Sequence, residues 1–132
     1  QSYRKWAEAQ CVAFPIIETR MQDESLGYTG QIDMVIQATD DDLYLVDLKT
    51  SAKSQKTYPV QMAAYQHLLR GEGVEVKGAM LVYLDKSGEF PEIDLHYDLS
   101  KEFAVFQHAL QCWQYFNQRK INARRKKHLP TC

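Results

Sequence analysis

Residues 31–38 and 43–50 are two apolar runs separated by only four polar residues. So short a polar link between two strand-like runs is typical of an antiparallel β-hairpin. The second run, LYLVDLKT, is apolar at positions that would face both sides of a sheet. A strand of this kind is expected inside a sheet that is covered on both faces.

The rest of the chain supplies the elements that would cover this sheet. The predicted helices span 2–10, 59–70 and the segment from about residue 101; further predicted strands span 11–19, 78–84 and 92–99. The apolar stripe of the last helix consists of Phe103, Phe106, Leu110 and Trp113. The 132 residues suffice for one domain and are too few for two ordinary ones. Strands flanked by helices predict an α/β fold, an αβα sandwich around a mixed sheet.

Basic residues are concentrated at the C-terminal end. Residues 118–128 contain six Lys or Arg and no acid, although the net charge of the chain is −1. This basic tail, residues 118–132, could bind a polyanion locally and without reading its sequence. A solvated helix end, whose cations favour the helix C-terminus, explains the same residues equally well.

The three cysteines, Cys11, Cys112 and Cys132, are widely spaced and include no CxxC pair. This spacing argues against a disulfide scaffold and against a zinc ribbon. It favours a reducing, intracellular setting, in the cytoplasm or with nucleic acid. No apolar stretch approaches the roughly 20 residues that a membrane-spanning helix needs.

Two acids and a lysine interrupt the apolar hairpin. Asp47 and Lys49 are two residues apart in one strand, so their side chains share a face. Asp33 interrupts the preceding strand, and hairpin pairing would place it near Asp47. Two adjacent carboxylates in a partly dry site raise each other's pKa, and a hard cation such as Mg²⁺ or Mn²⁺ relieves the repulsion. The alternative, a surface ion pair between Asp47 and Lys49, would be worth little.

Three segments occur in a suggestive order: GQID at 30–33, VDLKTS at 46–51 and QMAAY at 61–65. Together they resemble the PD-(D/E)xK nuclease superfamily, and most closely its RecB-type exonuclease-like branch. That branch has a G-x-x-D, a D-x-K-T and a helix with Q-x-x-x-Y in this order. The resemblance covers about residues 12–70. It implies a restriction-endonuclease-like sandwich and a metal-dependent nuclease.

The resemblance also implies a role for each motif residue. Asp33 and Asp47 would be the carboxylate ligands of the metal, and the backbone carbonyl of Leu48 would add a third oxygen. Lys49 would be the catalytic lysine, which orients or activates the attacking water and counters the charge of the phosphate.

Gln61 and Tyr65 lie four residues apart and therefore on one helix face. In relatives, these positions support the active site and approach the DNA backbone. The alternative is a helix that simply docks on the sheet, with Tyr65 in the core.

The candidate DNA-binding residues are Lys53, Lys56, Arg124, Arg125 and Lys126.

The sequence departs from the family pattern in its remaining metal ligand. Relatives usually supply a Glu or His from a helix well upstream of the G-x-x-D, whereas only 32 residues precede Asp33. The ligand would then lie on a helical segment preceding this chain. Glu18 aligns with an acid on the strand before the G-x-x-D, and it would either face the metal or pair with a base such as Arg20.

The expected function is that of a deoxyribonuclease that uses Mg²⁺, with Mn²⁺ able to substitute. Similarity to RecB-type enzymes of DNA repair and recombination implies an exonuclease of low sequence specificity. The residues themselves leave exonuclease and endonuclease action open. An iron–sulfur cluster is not expected, because relatives that hold one have clustered cysteines. The alternative function is a catalytically incomplete DNA-binding or assembly module that retains the nuclease fold.

Overall fold

A computed structural model describes residues 1–50 and 54–118. The helices are α1 (Ser2–Gln10), α2 (Thr57–Gly71) and α3 (Ser100–Phe116). The strands are β1 (Cys11–Asp23), β2 (Tyr28–Ala38), β3 (Leu43–Lys49), β4 (Gly78–Tyr83) and β5 (Glu92–His96). No helix in this part of the chain is both long and apolar enough to cross a membrane.

The five strands form one mixed sheet in the order β1-β2-β3-β4-β5. Strands β3 and β4 are parallel, and every other neighbouring pair is antiparallel. Parallel neighbours need a crossover connection, and α2 provides it. The predicted hairpin of β2 and β3 is therefore confirmed, as is the mixed character of the sheet.

Two apolar cores lie on opposite faces of the sheet, because side chains alternate along each strand. In β3, Leu45 belongs to the core under α2 and α3, whereas Val46 belongs to the core under α1. Helix α1 covers its face with the fully buried Trp6, and α2 buries Met62 and Leu69 on the other side. This arrangement confirms the restriction-endonuclease-like αβα sandwich.

Some element boundaries differ from the prediction. Strand β1 extends to Asp23, and its register shifts between Cys11 and Ile16, around Pro15. The proline therefore lies in a bulged part of an edge strand, where its missing N–H is tolerated. Helix α3 buries none of its residues fully, and Trp113 of its predicted apolar stripe is 48% exposed.

Strands β2 and β3 stop pairing before either strand ends. Their ladder ends at the pair Met34–Val46. Beyond this pair β2 continues beside β1 alone, whereas β3 continues beside β4 as far as Lys49. The next residues of the two strands are Asp33 and Asp47. The sheet thus positions both acids at the point where its two central strands separate.

Candidate active site

Asp33 and Asp47 directly follow the last pair of the ladder between β2 and β3, Met34–Val46. The register of that ladder sets the two acids opposite each other. Asp47 is buried, with 5% of its surface exposed, whereas Asp33 is partly buried. Asp33 Oδ2 accepts a hydrogen bond from the backbone N–H of Leu48 at 3.1 Å. A side chain thus takes over the connection between β2 and β3 where the backbone ladder stops.

The electrostatics of the site reflect the proximity of the two acids. Burial, followed by the hydrogen-bonding contact with Asp33, raises the pKa of Asp47 to about 6, although Lys49 opposes the shift. Burial and then the charge of Asp47 raise the pKa of the Tyr65 hydroxyl, with a smaller contribution from Asp33. Negative charge is therefore concentrated at this point, and a cation placed there would be stabilised.

Lys49 lies on the same face of β3 as Asp47. Its Nζ is 2.7 Å from Asp47 Oδ2, 3.1 Å from Gln61 Oε1 and 4.1 Å from the centre of the Tyr58 ring. The side chains of Lys49 and Asp47 are only 17% and 8% exposed, so the surface-pair interpretation is wrong. Asp47 Oδ2 is thus paired with the Lys49 ammonium, and this contact opposes the rise in the pKa of Asp47.

Tyr58, Gln61 and Tyr65 follow one face of α2, at spacings of three and four residues. Gln61 accepts the hydrogen bond of Lys49 through Oε1 and donates through Nε2 to the Tyr65 hydroxyl at 2.9 Å. The ring of Tyr65 packs against Gly30, where a Cβ atom would be 2.8 Å from Cε1. The structure therefore brings the residues of all three sequence motifs into one connected group.

The donor set fits a hard divalent cation. Within the described ranges, Asp47 presents a buried carboxylate whose Oδ2 is 2.7 Å from the Lys49 ammonium, and Asp33 lies opposite it. Protein sites for Mg²⁺ often use one or two carboxylates and complete the coordination with water and substrate phosphates. In the same ranges, no group of three or more His, Cys, Asp or Glu side chains converges. The two carboxylates thus match the number that such a site takes from the protein.

Glu18 lies next to this site along the sheet. The register of β1 with β2 sets it across from Asp33, but its side chain is exposed. Its backbone has φ of 45°, in the left-handed region that costs a non-glycine residue roughly 1 kcal/mol. Its carboxylate does not form a group of three with the two aspartates. Metal ligation by Glu18 stays a prediction.

The predicted DNA-binding residues are only partly within the described residues. Lys56 is exposed and occupies the N-cap position of α2. It therefore directly precedes the first turn of α2, which carries Tyr58, and its contact with DNA stays a prediction. The positions outside the described residues are Lys53, Arg124, Arg125 and Lys126.

Sequence reasoning missed two tyrosines beside the lysine. Tyr83 pairs with Lys49 in the parallel ladder of β3 and β4, and its ring centre is 6.4 Å from that of Tyr58. It borders a cavity of about 300 Å³ that Ser54 and Asp94 also line. Tyr58 could have been found from its helical spacing to Gln61. The place of Tyr83 depends on the register of two parallel strands, which short sequence patterns do not specify.

The chain is similar to a known protein family and to solved structures. The family model of the PD-(D/E)XK nuclease superfamily matches residues 2–132. A solved structure named "Putative exonuclease" from Eubacterium rectale aligns with 97% of this chain, at 14% sequence identity and a TM-score of 0.49. This chain covers 49% of the chain in that structure, about half its length. No curated protein matches the chain.

Proposed function

This chain belongs to the PD-(D/E)XK nuclease superfamily, and we propose that it is a deoxyribonuclease that depends on Mg²⁺, with Mn²⁺ able to substitute. The observation that carries the proposal is the meeting of Asp33, Asp47 and Lys49 where β2 and β3 separate. A carboxylate pair can hold a divalent cation, and together with a held ammonium group it can stabilise the charge that develops in phosphodiester hydrolysis. Membership of the superfamily also supports a divalent cation, since nucleases of this class generally use one.

In the proposed reaction, water attacks the phosphorus atom and one P–O bond breaks. A divalent cation held by Asp33, Asp47 and the carbonyl of Leu48 would polarise the phosphoryl oxygen and lower the pKa of water. The ammonium of Lys49 counters the negative charge that grows on the phosphate. Its burial strengthens this effect, because a preorganised charge in a partly dry site needs little rearrangement. Gln61 orients the ammonium by accepting its hydrogen bond.

The proposed substrate is DNA, cut from its ends and with low sequence specificity. Attack at the ends rests on the resemblance of the three motifs to RecB-type exonucleases. Low specificity is supported by the basic residues available for contact, namely Lys56 and the cluster at 118–128, because Lys and Arg contacts to phosphates do not read sequence. Linear and circular forms of one plasmid would test end dependence, and only the linear form should be degraded.

Cleavage assays of the wild type and matched variants test the assigned site. We expect Asp47→Ala and Lys49→Ala to lower the rate of DNA cleavage in Mg²⁺ by a factor on the order of 100 or more. Asp42→Ala serves as the control, because this exposed acid lies before the other end of β3, where it pairs with Lys77. Wild-type rates in either site variant, or cleavage that persists in a chelator, would contradict the proposal.

A catalytically incomplete DNA-binding or assembly module is the second candidate. The observation in its favour is that only two carboxylates converge in the described ranges. Such a module would bind a labelled duplex, as measured by fluorescence anisotropy, yet release no product in Mg²⁺ or Mn²⁺. Binding that needs no divalent cation and cleavage that is absent in both would together favour this candidate over the nuclease.

A further inference from the structure

The ammonium group of Lys49 has three neighbours of different chemistry. Asp47 contributes a carboxylate, Gln61 contributes an amide oxygen and Tyr58 contributes the face of an aromatic ring. The first two accept charge-assisted contacts from the ammonium. The third is a cation–π contact at 4.1 Å, well inside the roughly 6 Å limit for such an interaction.

The three neighbours of the ammonium differ in the other interactions that their contacting groups make. Asp47 is also a proposed metal ligand, so its negative charge would be shared when the site is complete. Gln61 divides its amide between Lys49 and the Tyr65 hydroxyl. The contact with Tyr58 uses the face of its ring and no carboxylate or amide group, so the commitment of Asp47 to a cation would leave this contact in place.

The backbone fixes Tyr58 at this point. It lies in the first turn of α2, one residue before Pro59, and its backbone N–H donates to the carbonyl of Gln55 at 3.1 Å. The proline suits the first turn of a helix because it has no N–H to leave unpaired. On the sheet side the ring lies 6.4 Å from that of Tyr83, centre to centre.

We propose that Tyr58 is a positioning residue for phosphodiester hydrolysis, holding the Lys49 ammonium through the face of its ring. The inference rests on the nuclease function proposed above. Tyr58 does not touch the reacting atoms and acts only through the lysine. The alternative is that Tyr58 merely fills space between α2 and β4. The two roles differ in what they require, since a cation needs an aromatic face whereas packing needs only apolar volume.

Variants at position 58 separate these roles. Tyr58→Phe keeps the aromatic face and loses only the hydroxyl, whereas Tyr58→Leu keeps apolar volume and loses the face. We expect Tyr58→Phe to retain at least half of the wild-type kcat. We expect Tyr58→Leu to lower kcat by about 3- to 30-fold, the range that corresponds to a partly buried cation–π contact. KM for DNA should change by less than about twofold in both variants, because the effect falls on the chemical step.

Two further measurements guard against a simple folding defect. Thermal unfolding of both variants shows whether they are folded, and Tyr58→Met is a second non-aromatic variant if Tyr58→Leu does not fold. In NMR spectra, the ε-methylene protons of Lys49 should be shifted upfield by the ring in the wild type and in Tyr58→Phe. Both non-aromatic variants should lose this shift.

The possible results are distinct. A folded Tyr58→Leu variant with wild-type kcat would overturn the positioning role and leave the proposed nuclease function intact. Equal loss of kcat in Tyr58→Phe and Tyr58→Leu would also overturn it, because the hydroxyl rather than the ring face would then matter. A wild-type chain that fails to cut DNA in Mg²⁺ or Mn²⁺ would remove the nuclease function and the positioning role together.

Discussion

The ring of Tyr65 occupies the space that a side chain at Gly30 would need. A Cβ atom at position 30 would lie 2.8 Å from Cε1 of Tyr65 and 3.0 Å from Cδ1 of Leu68. The glycine of the G-x-x-D motif is therefore explained by the close approach of α2 to β2. The same contact sets the position of Tyr65, which accepts the hydrogen bond of Gln61.

This contact predicts that Gly30→Ala is harmful in two ways. The added methyl group must displace the Tyr65 ring or the strand, and such overpacking typically costs about 1–3 kcal/mol. Movement of Tyr65 would also disturb Gln61, which holds Lys49. We expect a lower free energy of unfolding in urea and a reduced rate of DNA cleavage.

Gly71→Ala is the matched control for this change. Gly71 is the last residue of α2, and no heavy atom lies within 4 Å of where its Cβ would be. The substitution should leave stability unchanged or raise it slightly, because Ala restricts the unfolded chain more than Gly does. Equal destabilisation by both substitutions would show that crowding against Tyr65 is not the cause.

Removal of the buried Tyr83 hydroxyl is expected to stabilise the protein. It is buried and has no hydrogen-bond partner among residues 1–50 and 54–118. An unpaired buried polar group costs about 1–3 kcal/mol, so Tyr83→Phe should raise the free energy of unfolding by about 1 kcal/mol. Tyr44→Phe is the control, since the Tyr44 hydroxyl donates to Asp40 at 2.6 Å and its loss should destabilise. Urea unfolding that gives the same sign for both variants would contradict this interpretation.

The contacts of Asp23 predict how the free energy of unfolding depends on pH. Its carboxylate accepts hydrogen bonds from the Leu26 backbone N–H and the Ser25 hydroxyl and pairs with His67 at 2.8 Å. Led by the Leu26 bond, these contacts hold the pKa of Asp23 below its usual value of 3.8. A group with a lowered folded pKa contributes stability above its unfolded pKa. That contribution is lost as pH falls through the folded pKa.

Asp23→Asn should therefore destabilise the protein by about 1–2 kcal/mol near pH 6. The difference in the free energy of unfolding between wild type and variant should shrink as pH falls below about 4. The wild-type carboxyl then becomes protonated and, like the amide of Asn, carries no charge. Urea unfolding at pH 6, 4 and 3 measures this convergence. Glu75→Gln is the control, as this exposed acid pairs with Arg70 at 3.6 Å and such surface pairs contribute little. A constant difference between wild type and Asp23→Asn at all pH values would refute the assignment.

The sequence predicted the hairpin of β2 and β3 and the mixed character of the sheet because these strands have strong local signals. Apolar runs and turn residues place β2 and β3, and helical spacing places Gln61 and Tyr65 on one face. The pairing of Asp33 with Asp47 follows from a short hairpin, whose register the link between the strands largely determines. Local patterns therefore sufficed for the pairing of the hairpin and for this helix face.

Other contacts of the candidate site were not predictable in the same way. The hydrogen bond from Leu48 to Asp33 exists because β2 and β3 stop pairing early, and no residue type marks that point. The contact of Gly30 with Tyr65 depends on how closely a helix approaches a strand. Tyr83 meets Lys49 only through the register of parallel strands joined by a long crossover. These features depend on where pairing stops, on the register of strands far apart in sequence and on packing between layers, and the periodicity of one segment encodes none of them.

The distribution of charge predicts which residues would supply the proposed affinity for DNA. The described residues contain all 17 Asp and Glu of the chain but only nine of its 16 Lys and Arg. The excess of negative charge in the described residues would repel a polyanion. DNA binding would therefore need Lys and Arg side chains from the remaining residues. Residues 118–128 contain six Lys or Arg. If all six contact phosphates, the slope of log affinity against log salt concentration should include a contribution of roughly −5 for duplex DNA.

Replacement of these six residues by Gln tests the assignment without shortening the chain. We expect weaker binding to a labelled duplex in a chelator and a salt slope that is less steep by up to about 5. The chelator prevents cleavage during the titration, so the measurement is independent of catalysis. Replacing the exposed Lys101, at the start of α3, by Gln is the control and should change the slope by at most about 1. An unchanged slope in the sixfold variant would favour a solvated chain end and leave Lys53 and Lys56 as the candidate contacts, since both lie between the D-x-K motif and α2.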